Sequence, residues 1–252
     1  MIKISGSISD TNTIIEKYPK NSIQRKIIEI LSSSSEVYNY DSLEQLKFEL
    51  DLRKKIIDSA RELKKSKFSF KTFRKSKCNE EYWQRTDEGG FLLKKGVKPF
   101  DAVNDIYINS SKYATECATA IVIVYYKALA DMFTEELFNS LFPNIYLMDW
   151  QHLDSNMGIN LYRKVVDFLP GDCRYFKNPD VDPTKPEWQG ENAIDFGDGS
   201  YYGHGIGIRT ADEIIKDLNK HRKKEANTSA FLMDTANRPD FRYLANRYYS
   251  AS

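Results

Sequence analysis

No stretch of this 252-residue chain is apolar enough to cross a bilayer: the longest, Ala118 to Tyr126, falls far short of the roughly 20 residues a spanning helix needs. Neither sign of charge prevails. The 37 Lys and Arg against 36 Asp and Glu give a formal net charge of +1, so no global field argues for nucleic acid or for a membrane surface as partner. Cysteine is scarce, and Cys78, Cys117 and Cys173 cannot all pair. The opening MIKISGSISDTN has neither a basic start nor an apolar signal core, so synthesis in a reducing cytosol is expected. The three cysteines and three histidines lack zinc-ligand spacing, and no EF-hand loop is present. Gly197, Gly199 and Gly203 do not form a phosphate cradle ahead of a helix. Chemistry without metal, calcium or cofactor is the expectation.

The length suits one large domain, taken here as residues 1–252. Residues 1–40 read as a polar leading arm with one helix, on which Ile23, Ile27 and Leu31 follow Asn21. From 41 to 140 the pattern is mainly helical. Asp41 and Glu44 form a capping box ahead of Leu43, Leu46, Leu50, Ile57, Ala60 and Leu63 at helical spacing. KKSKFSFKTFRKSK interleaves Phe68, Phe70 and Phe73 with basic residues, which suits RNA stacking or a strand against a core; without a glycine–aromatic signature nearby, the strand is preferred. A lead-in helix from Pro99 breaks near Asn109 to Ser111 and gives way to ATAIVIVYYKAL, read as a buried helix from its alanines and its length. Residues 141–209 alternate in short apolar pieces, IYLMDW, CRYF and NAIDF, then a GDGS turn and YYGHGIGI, which predicts an antiparallel sheet. Thr210 with Glu213 caps a closing helix before a basic tail, 210–252. The sum is an α+β fold.

Glu116-Cys117 stands where polar sequence turns into that buried helix. A cysteine in a first helical turn has its thiolate favoured by free N–H groups and by the positive end of the helix dipole. A glutamate beside it can handle the proton, which mere packing would not require. The other reading is plain: free cysteines are among the most buried residues, and many are inert. His204, in YYGHGIG downstream on an expected strand, is the easier base for such a thiol by residue type alone. Its alternative is a sheet residue flanked by Gly203 and Gly205, which relieve backbone crowding. His152 and His221 read as surface residues, and Cys173 and Cys78 as packing.

Three segments, YATECATAIVIVYYKAL, GDCRYFKNPDVDPTKPEWQGENAI and YYGHGIGI, resemble in order and spacing the small protein-glutamine γ-glutamyltransferases of spore-forming bacteria. The resemblance implies a papain-like core of the compact cell-wall-endopeptidase type, with a nucleophile helix on an antiparallel sheet. It implies Cys117 as nucleophile, Glu191 of WQGEN as its acid/base partner and Glu116 as helper, leaving His204 as an additional catalytic or a supporting residue. It further implies a cofactor-free monomer that joins protein Gln and Lys side chains, with spore coat proteins as partners, in the mother-cell cytosol and at the spore surface. Residues 151–168 match poorly. Two other classes stay open: a papain-like hydrolase or deamidase that uses water, and a non-catalytic coat protein in which Cys117 only packs.

Reference pKa values of about 4.3 for Glu and 8.5 for Cys leave roughly 5.7 kcal/mol against a thiolate–acid pair. Helix placement is expected to lower the thiol, and an apolar setting with a second carboxylate to raise Glu191. A thioester must also be kept from water, so an aromatic channel is expected, with Trp188 and Trp150 as wall candidates.

Overall fold

The computed structural model describes residues 1–8, 11–150 and 152–251. In chain order, β1 (Ile2–Ile4), β2 (Ser7–Ile8), α1 (Thr11–Ile15), α2 (Ile23–Ser33) and β3 (Tyr38–Tyr40) lead into the long α3 (Leu43–Lys65). Then come β4 (Ser69–Phe70), β5 (Trp83–Arg85), β6 (Phe91–Leu93), α4 (Pro99–Ile108), β7 (Ala114–Thr115), α5 (Cys117–Ala130) and α6 (Glu135–Leu141). The rest comprises β8 (Tyr146–Leu147), β9 (Asn160–Arg163), β10 (Cys173–Lys177), β11 (Gly190–Asp195), β12 (Ser200–Gly203), β13 (Gly207–Thr210), α7 (Ala211–Asn219), β14 (Phe231–Leu232), β15 (Thr235–Arg238) and α8 (Phe241–Ser250). This is an α+β fold.

The organising element is α5. Every residue from Ala118 to Ala130 except Lys127 is buried, the mark of a helix enclosed on all sides. It packs on α3, α4, α6 and β11. Opposite it lies a seven-stranded antiparallel sheet, ordered β13-β12-β11-β10-β15-β9, with β14 also paired to β10. All six residues of β11 are buried, because helices cover both of its faces. Ile194 joins the main core with α5, while Ala193 packs with Ile214 and Leu218 of α7.

Several expectations shift. The leading arm carries two helices, and β1 pairs in parallel with β3, a long-range contact that no local pattern reveals. Ser42, not Asp41, caps α3 by accepting from the Gln45 N–H, and Ser22 caps α2. IYLMDW yields only β8, which leaves the main sheet and joins β5 and β6, two strands of the expected helical stretch, in a separate small sheet. The tail supplies β14 and β15 to the main sheet and a second helix, α8. The Thr210–Glu213 capping box forms in full, and Gly197 and Gly199 turn the β11–β12 hairpin at φ of 73° and 87°.

A buried ion cluster fastens helices to sheet. Asp172, fully buried just before β10, accepts from Arg53 of α3 at 2.8 Å, from Arg238 of β15 at 2.7 Å and from the Leu169 N–H at 2.9 Å. Glu49 takes the other side of Arg53 at 2.8 Å. Burial alone would raise the Asp172 carboxyl, but the two guanidiniums outweigh it and hold the group below its ordinary range. A carboxyl with a depressed folded pKa stabilises above its unfolded value of about 3.9, and that stability is lost as pH falls through the folded value. Asp172→Asn leaves the buried Arg53 with Glu49 alone and removes the carboxylate from the half-buried Arg238, which is expected to cost about 3–5 kcal/mol in urea unfolding at neutral pH. The deficit relative to the native chain should narrow in acid. A loss of under about 1 kcal/mol would remove the cluster from its structural role.

Candidate active site

Strand β4 pairs in parallel with β7, the two residues that precede Glu116, and so lays Phe70 beside the start of α5. On the far side, the Thr119 hydroxyl accepts the Asp149 N–H at 2.9 Å. That bond holds the turn carrying Trp150, where Asp149 takes a φ of 41°, unusual for a residue with a side chain. Between these walls opens a cleft of about 1150 Å³, with Cys117, Glu116 and Asn192 in its lining. Phe70, Phe73, Trp150, Leu153 and Leu161 make much of the remaining surface apolar. Trp150 is thus a wall residue, and its ring meets Tyr125 edge-on at 6.4 Å.

Glu116 is the N-cap of α5, and both of its oxygens are engaged. Oε2 accepts the Ala118 N–H at 2.7 Å and Oε1 the Thr119 N–H at 2.6 Å. The cap therefore takes the N–H groups that the sequence reading assigned to the sulfur. The consequence is a correction: the Cys117 thiol is not lowered but pushed well above its ordinary value, by burial first and then by the Glu191 and Glu116 carboxylates. The opposing influence is Asn192, which offers its main-chain N–H, and its Nδ2 at 4.0 Å from Sγ.

Glu191 lies on β11, 5% exposed and behind the cleft wall. A methyl group on Gly203 would stand 2.7 Å from its Cγ and its Oε1, so the glycine of YYGHG leaves the room that this side chain fills. Burial, then the charge of Glu116, raises its carboxyl well above the usual range, against a bond from the His204 main-chain N–H. Its Oε1 is buried and makes no hydrogen bond. Glu191 is among the causes that raise the Cys117 thiol, and Glu116 raises both groups, although no direct hydrogen bond joins Cys117 to Glu191.

His204 is set apart. Its imidazole packs on Phe68 at 4.8 Å and Phe70 at 6.1 Å, and Nδ1 meets the Tyr202 hydroxyl at 3.1 Å. Burial depresses its pKa to about 4, although the Ser69 and Thr115 main chains favour the charged form. No hydrogen bond links the ring to Cys117 or Glu191 among the described residues. Trp188 does not line the cleft, because its ring stacks on His221 at 3.8 Å. All three cysteines are free; Cys173 is buried in the core and Cys78 half-buried, its thiol pushed up to about 11 by burial and then by Glu80. Among the described residues no cluster of His, Cys, Asp or Glu is arranged to hold a metal ion, and no helix is long and apolar enough to cross a membrane. Asn192 and Thr119 escaped the sequence reading. Asn192 directly follows Glu191, and that adjacency was the available signal.

Fold and cleft together define a class, an α+β protein with a thiol at the head of an enclosed helix and a buried carboxyl on the facing strand. The model of the protein-glutamine γ-glutamyltransferase family matches residues 1–248, and the chain belongs to that family. A protein-glutamine γ-glutamyltransferase of Bacillus cereus (strain G9842) is 44% identical over 253 residues, spanning 100% of this chain and 90% of that protein. One from Bacillus anthracis (strain CDC 684 / NRRL 3495) is 44% identical over 246 residues, 97% of this chain and 88% of that protein. Among solved structures, the transglutaminase from Geobacillus stearothermophilus, without its C-terminal extension, superposes with a TM-score of 0.78 at 50% identity, covering 82% of this chain and 98% of that one.

The carboxyls that act on Cys117 are Glu191 on β11 and Glu116 at the N-cap of α5. Glu116→Gln removes one cause that raises both Cys117 and Glu191, so the thiol should titrate at lower pH. Iodoacetamide labelling of Cys117 followed against pH checks this. A midpoint that stays in place or moves upward would contradict the electrostatic account.

Proposed function

We propose that Cys117 is the nucleophile of glutamyl transfer, Glu191 the acid/base that serves it, and Glu116 the helper that sets their shared proton affinity. At low pH Cys117 and Glu191 hold two protons between them; the reactive form holds one, so its apparent pKa values belong to the pair. The thiol proton passes to Glu191, and the electron pair left on sulfur attacks the carboxamide carbon of a glutamine side chain. As the tetrahedral adduct collapses, its C–N bond breaks, the nitrogen takes the proton from Glu191 and ammonia departs, leaving a thioester. A lysine amine then gives a proton to Glu191 and attacks the thioester carbon. The C–S bond breaks, an isopeptide forms, and the sulfur recovers its proton.

The observation that carries this reading is the buried, unbonded Oε1 of Glu191, in a carboxyl whose proton affinity and that of the nearby cleft thiol rise through shared charges. Catalytic hydrogen bonds often tighten only with substrate, so the absence of a direct Cys117–Glu191 bond in the free protein agrees with the role. The apolar lining around Trp150 would keep water from the thioester. Spore coat proteins as the Gln and Lys partners rest on the sequence resemblance alone.

Covalent incorporation of a labelled primary amine into casein tests the assignment. Cys117→Ala should abolish it. Glu191→Ala and Glu116→Ala should each leave residual activity, and the double variant should approach the loss at Cys117, a non-additive pattern. Incorporation that survives Cys117→Ala would defeat the proposal, and release of free glutamate without amine product would mark a hydrolase.

A further inference from the structure

A cysteine at the start of a helix ordinarily faces free N–H groups, and here Glu116 has taken those of Ala118 and Thr119. The sulfur faces Asn192 instead, with Nδ2 4.0 Å away and the main-chain N–H also directed at it. Glu191 and Glu116 both raise the Cys117 thiol and so disfavour a thiolate, whereas Asn192 favours one. Successive strand residues project to opposite faces. Glu191 accordingly sits behind the cleft wall, while Asn192, 8% exposed, reaches its lining.

We propose that Asn192 is a further catalytic residue, whose side-chain amide and main-chain N–H hold the Cys117 thiolate through each half of the transfer. The proposal rests on Cys117 being the nucleophile. A neutral amide suits the task, because it donates to sulfur without competing for the proton that moves between Cys117 and Glu191. When the thiol proton goes to Glu191, the charge left on sulfur meets both donors. Those bonds weaken as the electron pair enters the new C–S bond, and they re-form when the lysine amine displaces the thiolate. Tyr175 on β10 pairs with Asn192 across the ladder, and its phenol occupies the space that a side chain at Gly190 would need.

The test measures amine incorporation and the pH dependence of Cys117 alkylation in the full chain. Asn192→Ala removes one donor of two, so kcat should fall roughly 10- to 100-fold, the scale of a hydrogen bond to a charged group. The alkylation midpoint should also move to higher pH, which simple loosening of the strand would not produce. Should the alanine variant fail to fold, Asn192→Asp keeps nearly the same shape and places a negative charge beside the sulfur, so its midpoint should rise further. An unmoved midpoint in either folded variant would overturn the assignment, even with activity reduced. If Cys117→Ala retains incorporation, the underlying nucleophile assignment fails instead.

Discussion

The Glu116 carboxylate ties this fold to its chemistry. By capping the first turn of α5 with both oxygens it satisfies buried N–H groups that would otherwise be orphaned, and it fixes where the helix, and therefore Cys117, begins. The same carboxylate brings a negative charge to a buried site that already holds Glu191. The positive end of the helix is spent on the cap rather than on the sulfur. What results is a site that resists losing protons, the reverse of a cysteine activated by its helix alone.

Everything around α5 serves this placement. The ion cluster at Asp172 clamps α3 to the sheet, and α3 in turn supports α5. The parallel β4–β7 pair sets Phe70 along the cleft, and the Thr119–Asp149 bond anchors the turn of Trp150 from the very helix that presents the thiol. One helix start therefore positions Cys117, its charged neighbour and one wall. Gly203 contributes by absence, since any side chain there would displace Glu191.

The sequence revealed much of this and concealed a definite remainder. Cys117 at a helix start was legible because the polar-to-apolar boundary at Glu116 is sharp, and β10 to β13 were legible because their alternation and turn glycines are local signals. The parallel pairing of β1 with β3 and the recruitment of β14 and β15 are long-range events without local signatures. The direction of the Cys117 shift was misread because sequence shows that Glu116 adjoins the helix but not that its side chain folds back to cap it. His204 has the residue type of a base, yet its surroundings, two phenylalanines and a tyrosine hydroxyl, become visible only in three dimensions.

The most direct test of the account is the protonation state of Glu191 in the resting protein, read by infrared spectroscopy as the carboxyl band that vanishes in Glu191→Gln. The account predicts a neutral carboxylic acid that persists at pH values where ordinary glutamates are ionised, and that loses its proton at lower pH in Glu116→Gln. A Glu191 that ionises in the ordinary glutamate range, unmoved by the loss of Glu116, would contradict it.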